Sequence, residues 1–325
     1  MAVTTKLPKV SESTQVIAAV IAALRAAKGL VLTTHKDPDG DGLSCALALQ
    51  CWLQGQQKSC VVVAKNLPAQ VNYLPGFGQV LEQVPPDFNY DTVVALDCGN
   101  RDRIVMLPGL SWEAKTIINI DHHMDNSMFG DINFVAEGAA VGETIYALWQ
   151  QSGVAIDQAV ATCLYTACFT DTGGFRYSNT QAATFAVAQA CLAAGAPIAE
   201  IALRTLGSKP KAVFDVFRDA LNTLELVGDG RLVYAVVDAE KHGDATREAI
   251  DLIRDVESCE VAVVFRVYPS EKKVKVNLRS KRSFNVQAVA RVFGGGGHER
   301  ASGVEMTGDL AEIKSQVVAE ILSRF

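Results

Sequence analysis

Short apolar runs alternate with longer stretches of helical spacing from residue 30 onward. The runs 30–34, 60–64, 92–96 and 116–120 lack the in-and-out alternation of a half-solvated strand, which predicts a parallel sheet covered on both faces. Helices are expected near 43–53 and 142–151. The order implies an α/β domain of the doubly wound type, with helices on both faces and ligands bound at the carboxyl ends of the strands. Ahead of it, Val16, Ile17, Val20, Ile21 and Leu24 recur at helical spacing between Ser13, an N-cap residue type, and Gly29, a helix stop. The run follows Lys6 and Lys9 and so imitates a secretory leader, but its periodicity favours an amphipathic helix packed on the domain. A second pattern follows an Ala-rich helical stretch from Gln181 to about Leu226. Strands are expected at 231–237, 260–267 and 273–278, a helix at 287–293, and a C-terminal helix whose stripe is Leu310, Ile313, Val317 and Ile321. The chain therefore divides into a first domain over 1–200, a helical linker over 201–228 and a smaller α/β domain over 229–325.

Composition narrows the class. The 325 residues are 49% apolar and 20% charged, with a net charge of -6, which excludes a disordered tail and a broadly basic nucleic-acid clamp. No run approaches the roughly 20 apolar residues of a spanning helix, so a cytoplasmic protein with no membrane partner is expected. The eight cysteines form no C-x-x-C pair and lie mostly in apolar runs, the pattern of buried reduced thiols.

Polar residues gather where the sheet argument expects a site. The first strand leads into His35-Lys36-Asp37-Pro38-Asp39-Gly40-Asp41, the third ends at Asp97 and the fourth at Asp121-His122-His123. Phe169-Thr170 reads as a further strand end, delivering Asp171. A strand-end Asp is commonly an N-cap, yet three of the five histidines lie in these same motifs, and capping does not explain that concentration. Carboxylates and imidazoles without thiolates suit Mn²⁺, Mg²⁺, Fe²⁺ or Co²⁺. Two such ions, bridged by one carboxylate, can share an attacking hydroxide and clamp a phosphoryl group. Asp37 and Cys98 are read as a turn residue and a packing residue, and His242 as a surface loop residue.

The second domain carries Gly294-Gly295-Gly296-Gly297-His298, a run that lets backbone N–H groups approach an anion. Residues 272–300 hold eight Lys or Arg against one acid, Glu299, an excess of +7 that leaves −13 for the rest of a chain totalling −6. The overall charge thus opposes only broad binding to long nucleic acid and leaves room for a short anionic substrate. Arg279 stands out at a strand end, because a guanidinium grips phosphate bidentately.

These residues resemble the DHH phosphoesterases. Asp121-His122-His123 is similar to that family's signature, and Arg279-Ser280, Gly294 to His298 and Ala301-Ser302-Gly303 resemble its accessory DHHA1 domain. The resemblance implies one ion on His35, Asp39 and Asp97 and a second on Asp41, Asp97, His122 and Asp171, with Mn²⁺ preferred and Mg²⁺ or Co²⁺ as alternatives. It implies catalytic roles for Asp97, Asp121 and His123, the last at the scissile phosphate, and substrate binding by Arg279, Ser280, Gly295, Gly296, Gly297 and His298. The implied activity is hydrolysis of short RNA or DNA oligonucleotides and of 3′-phosphoadenosine 5′-phosphate. Cyclic-dinucleotide cleavage, or hydrolysis of small phosphomonoesters or pyrophosphate, is the alternative. A homodimer is compatible with it. Two departures, Ser44-Cys45 after the first motif and Ser302 in the last, keep small side chains and bear on substrate preference more than on catalysis.

Overall fold

The computed structural model describes residues 7–325 except 105, 106 and 114, without the side chains of Ser11 and His298. Lys6 lies outside the described residues. The chain forms two compact units, Met1–Ser208 and Lys209–Phe325.

In the first unit, the expected amphipathic helix is α1 (Thr14–Ala26), which buries Ile17, Val20, Ile21 and Leu24. Ser13 precedes it without a capping bond, its hydroxyl donating instead to the Lys9 carbonyl at 3.0 Å. The strands are β1 (Leu30–Thr33), β2 (Cys60–Val62), β3 (Thr92–Leu96), β4 (Thr116–Asp121) and β5 (Ile132–Val135). All pairings are parallel and the order is β2-β1-β3-β4-β5. One face, through Leu30, Leu32, Val94, Leu96, Ile118 and Ile120, packs on α1, α2 (Gly40–Gly55), α3 (Val141–Ser152), α4 (Gln158–Asp171) and α5 (Ala182–Ala193). The other face, through Val31, Val93, Ala95 and Ile117, is covered by Val84, Ile104, Leu107, Leu110 and Trp112. Helices were expected on both faces; among the described residues this second layer is built from connecting segments. A short helix, α6 (Ile198–Ala202), runs into a π-helical turn over Leu203–Gly207 at the end of the unit.

The second unit opens with α7 (Lys211–Asn222), followed by β6 (Glu225–Val227), β7 (Leu232–Asp238), α8 (Ala239–His242), α9 (Ala249–Arg254) and β8 (Val261–Tyr268). It continues with β9 (Lys273–Ser280), α10 (Val286–Val292), β10 (Gly296–His298), β11 (Ala301–Thr307) and α11 (Leu310–Leu322). The sheet order is β10-β11-β9-β8-β7-β6, with only β7 and β8 parallel. One face packs Val261, Val263, Phe265, Val276 and Leu278 against α10 and α11; the other packs Val233, Ala262 and Val264 against α7 and α9.

All eight cysteines are unpaired thiols, seven of them buried. His242 is not a surface loop residue: it ends α8, its side chain is 6% exposed, and Nε2 lies 2.8 Å from Asp219 Oδ2. Its partner sits 23 positions earlier on α7, beyond the reach of a local motif search.

Candidate active site

The three central strands of the first sheet end side by side, and each delivers its polar residue there. His35 follows β1 by two residues, Asp97 follows β3 directly, and Asp121 closes β4 ahead of His122 and His123. Asp171 arrives differently from the expectation. It is the last residue of α4, not a strand end. That helix is buried around most of its circumference from Val160 to Phe169, so its sequence shows no polar face to separate it from a buried strand.

The donors converge into overlapping groups. His35, Asp39 and Asp97 form one, Asp41, His122 and Asp171 a second, and Asp97, His122 and His123 a third, each with its ligand atoms within 4.8 Å of one another. Asp97 stands between the first two. Its Oδ2 is 3.6 Å from His35 Nε2 and its Oδ1 is 3.6 Å from His122 Nε2. Its backbone adopts a left-handed φ of 54°, an unfavourable conformation for a residue with a side chain and one typical of functional sites.

Each donor is oriented by the surrounding chain. Asp39 Oδ1 caps α2, accepting from Asp41 N at 3.0 Å and Gly42 N at 3.1 Å, while Oδ2 lies 3.7 Å from His35. Asp41 is fully buried and held by the first turn of α3. Oδ2 accepts from Val141 N at 2.6 Å, and Oδ1 accepts from Gly142 N at 3.1 Å and from the Cys45 thiol at 3.2 Å. His122 Nδ1 lies 3.1 Å from the Gly138 carbonyl, which makes that nitrogen the donor and leaves Nε2 as the ligating lone pair. Asp121 is absent from the three groups above; it sits 2.7 Å from His123 Nδ1 and accepts from Asn126 at 2.5 Å. Gly42 leaves the space this packing needs, since a Cβ there would lie 2.2 Å from Thr34 Oγ1 and 3.1 Å from Asp97 Oδ2.

Electrostatics describe a centre short of positive charge. Burial would raise the Asp97 carboxyl, but His122 and His35 hold it well below the usual range. Burial and the neighbouring Asp97 push Asp41 up to about 7, and burial with Asp41 raises Asp171 strongly. His35 resists burial, which would lower it, and rises to about 10 through Asp39 and Asp97. Asp97 Oδ1 and Thr34 Oγ1 are buried with no hydrogen-bond partner among the described residues. Crowded carboxylates, imidazole lone pairs and an orphaned carboxylate oxygen fit hard divalent cations.

Two sequence readings keep their peripheral place. Asp37 is exposed, 3.5 Å from the Asn66 amide. Cys98 is buried, its thiol pushed up to about 12 by burial, and donates to the Asn100 carbonyl at 3.0 Å. Glu143 was missed. Its side chain is buried, burial raises its carboxyl, and Oε1 accepts from the Thr184 hydroxyl at 2.5 Å, tying the first turn of α3 to α5.

In the second unit, Arg279 lies on β9 opposite Ala301 of β11, which in turn pairs with His298 of β10. Its Nη1 donates to the Leu278 carbonyl at 3.3 Å. Ser280 is buried on the opposite face of β9 and stays apart from this group. The glycine run is not an open loop. Gly294 N and Gly295 N bond back to Arg291 and Ala290 carbonyls of α10, and Gly296, Gly297 and His298 form the edge strand β10.

Comparison with known proteins accounts for both units. The model of the DHH family N-terminal domain matches residues 30–168, and that of the DHHA1 domain matches residues 229–324. The bifunctional oligoribonuclease and PAP phosphatase NrnA of Thermus thermophilus is 32% identical over 97% of this chain and 95% of its own length. The chain belongs to the DHH family. Within that family, the probable bifunctional oligoribonuclease and PAP phosphatase NrnA of Streptococcus mutans is 26% identical, over 87% of this chain and 91% of that protein. The crystal structure of an exopolyphosphatase-related protein from Bacteroides fragilis shares the fold of this DHH protein, with a TM-score of 0.85 at 22% identity over 95% and 96% of the two chains. DHH phosphoesterases are metal-dependent, in keeping with the donor groups of the first unit.

Proposed function

We propose that this protein hydrolyses phosphoester bonds in short oligoribonucleotides and in 3′-phosphoadenosine 5′-phosphate with two divalent ions, Mn²⁺ first among them. The observation that carries the reading is Asp97, whose two carboxylate oxygens each face a histidine of a different donor group at 3.6 Å. The substrate assignment rests on the likeness to the Thermus oligoribonuclease and PAP phosphatase, which spans both units.

His35, Asp39 and Asp97 would hold one ion, and Asp41, His122 and Asp171, with Asp97 shared, the other. Bound ions supply Lewis acidity, activating water and neutralising the charge that develops on the phosphoryl group. The chain's own residues do the rest. The α3 turn fixes Asp41, and Gly138 fixes the His122 tautomer. Asp121 raises the proton affinity of His123 against the opposing effect of burial, and His123 donates a proton to the departing oxygen. Arg279, Gly295, Gly296, Gly297 and His298 of the second unit would bind the nucleotide.

The test is turnover of pApA, 3′-phosphoadenosine 5′-phosphate, cyclic di-AMP and pyrophosphate by the full chain with Mn²⁺, Mg²⁺ or Co²⁺. Cleavage of the first two, lost in Asp97→Asn, is expected. Preference for pyrophosphate or the cyclic dinucleotide, or wild-type rates in Asp97→Asn, would overturn the reading.

A further inference from the structure

Successive residues of β9 face opposite sides of the second sheet. Val274, Val276 and Leu278 enter the core with α10 and α11, so Lys275, Asn277 and Arg279 share the other face. The register builds two adjacent rows on that face. Arg279 lies beside Ala301, and Ala301 beside position 298; Asn277 lies beside Gly303, and Gly303 beside Gly296. Between Arg279 and Asn277 on one strand and the edge strand β10 on the other, the rows hold only the Ala301 methyl group and the side-chain hydrogen of Gly303. The result is a shallow floor on the β10 side of this face, polar along the side where Ala262 and Val264, the β8 partners of Arg279 and Asn277, pack against α7 and α9. A Cβ at Gly296 would meet nothing within 4 Å, so that part of the floor is open.

The neighbours on this face are engaged. Lys275 Nζ lies 3.4 Å from Glu305, and Arg279 donates to Leu278. Asn277 differs. Its Oδ1 is buried and accepts no hydrogen bond from any described residue, although a buried amide oxygen normally finds a donor. A side-chain amide offers a carbonyl acceptor and an NH₂ donor about as far apart as the N6 amine and N7 of adenine, the pairing by which Asn reads that base.

We propose that Asn277 reads the base of the substrate, Oδ1 accepting from an exocyclic amine such as adenine N6, while Arg279 on the same face takes a phosphate. The inference rests on the nucleotide phosphoesterase reading above and adds its base selectivity. Guanine and hypoxanthine place a carbonyl oxygen where adenine has the amine, and would meet Oδ1 acceptor to acceptor.

The experiment compares kcat/KM of the Mn²⁺-loaded full chain for 3′-phosphoadenosine 5′-phosphate and its inosine counterpart, with bis(p-nitrophenyl) phosphate as a substrate that has no base. Wild type should prefer the adenine compound about tenfold, the worth of one hydrogen bond. Asn277→Ala should bring that ratio close to one, acting mainly through KM, with unchanged turnover of the baseless ester. Its thermal midpoint should not fall, because the amide oxygen holds nothing in the folded chain. The inference is overturned if wild type shows no preference, if the preference survives in Asn277→Ala, or if that variant loses baseless turnover in proportion. Should wild type hydrolyse the baseless ester but neither nucleotide, the nucleotide reading itself fails, a result distinct from the others.

Discussion

Asp39 serves two ends at once. A strand-end Asp reads either as a helix cap or as a metal ligand, and here one oxygen caps α2 while the other faces His35. Substitution separates the two. Asp39→Asn keeps an acceptor for the cap and should leave the metal-free thermal midpoint near wild type while weakening Mn²⁺ binding in a titration. Asp39→Ala should lose both, with about 1 kcal/mol of stability going with the cap. Gly42 is the complementary case, where the absence of a side chain matters. Gly42→Ala must displace Thr34 and Asp97 and should cost roughly 1–3 kcal/mol as overpacking, measured by denaturant unfolding in EDTA, together with weakened Mn²⁺ affinity. At this scale the acids and histidines were legible because their residue types and positions after apolar runs carry the signal. Glu143 was not, because its partner Thr184 lies 41 positions away and a Glu in a first helical turn reads as dipole complementarity.

Among the elements, the first turn of α3 does most to shape the site. Its N–H groups clamp Asp41, and the Gly138 carbonyl just before it sets His122. Glu143, anchored on α5, holds that turn in place, so Glu143→Ala should reduce Mn²⁺ affinity about 10–100-fold, the usual range for residues that orient ligands. Glu143→Gln, which can still accept from Thr184, should retain most of it; equal losses would mean that charge rather than anchoring matters. The parallel strands could be read directly because both faces are buried and the runs are uniformly apolar. Four strands escaped notice. β5 has only four residues and β6 only three, the latter within the stretch read as a helical linker, while β10 and β11 take their conformation from the partner strand rather than from composition, β10 being mostly glycine. Uniform burial also disguised α4, and with it the helical origin of Asp171.

Taken whole, the chain has two units with separate cores, and among the described residues only the first holds the clustered acids and histidines. Calorimetry should therefore resolve two transitions, of which Mn²⁺ raises one. At a hundredfold excess over Kd the gain is about 2.7 kcal/mol, and the transition of the 117-residue second unit should stay in place. A shift of both together would show that the units unfold as one.

The placement of the thiols gives a way to watch this. Cys259 is the one cysteine of the second unit, and the other seven belong to the first. Burial pushes the thiols of Cys45, Cys163, Cys168 and Cys259 up, so they react as neutral groups shielded from reagent until the fold opens. Pulse alkylation of the native protein, read peptide by peptide, thus becomes a clock with two dials. Cys259 times the opening of one half and Cys163 with Cys168 times the other, with no engineered probe.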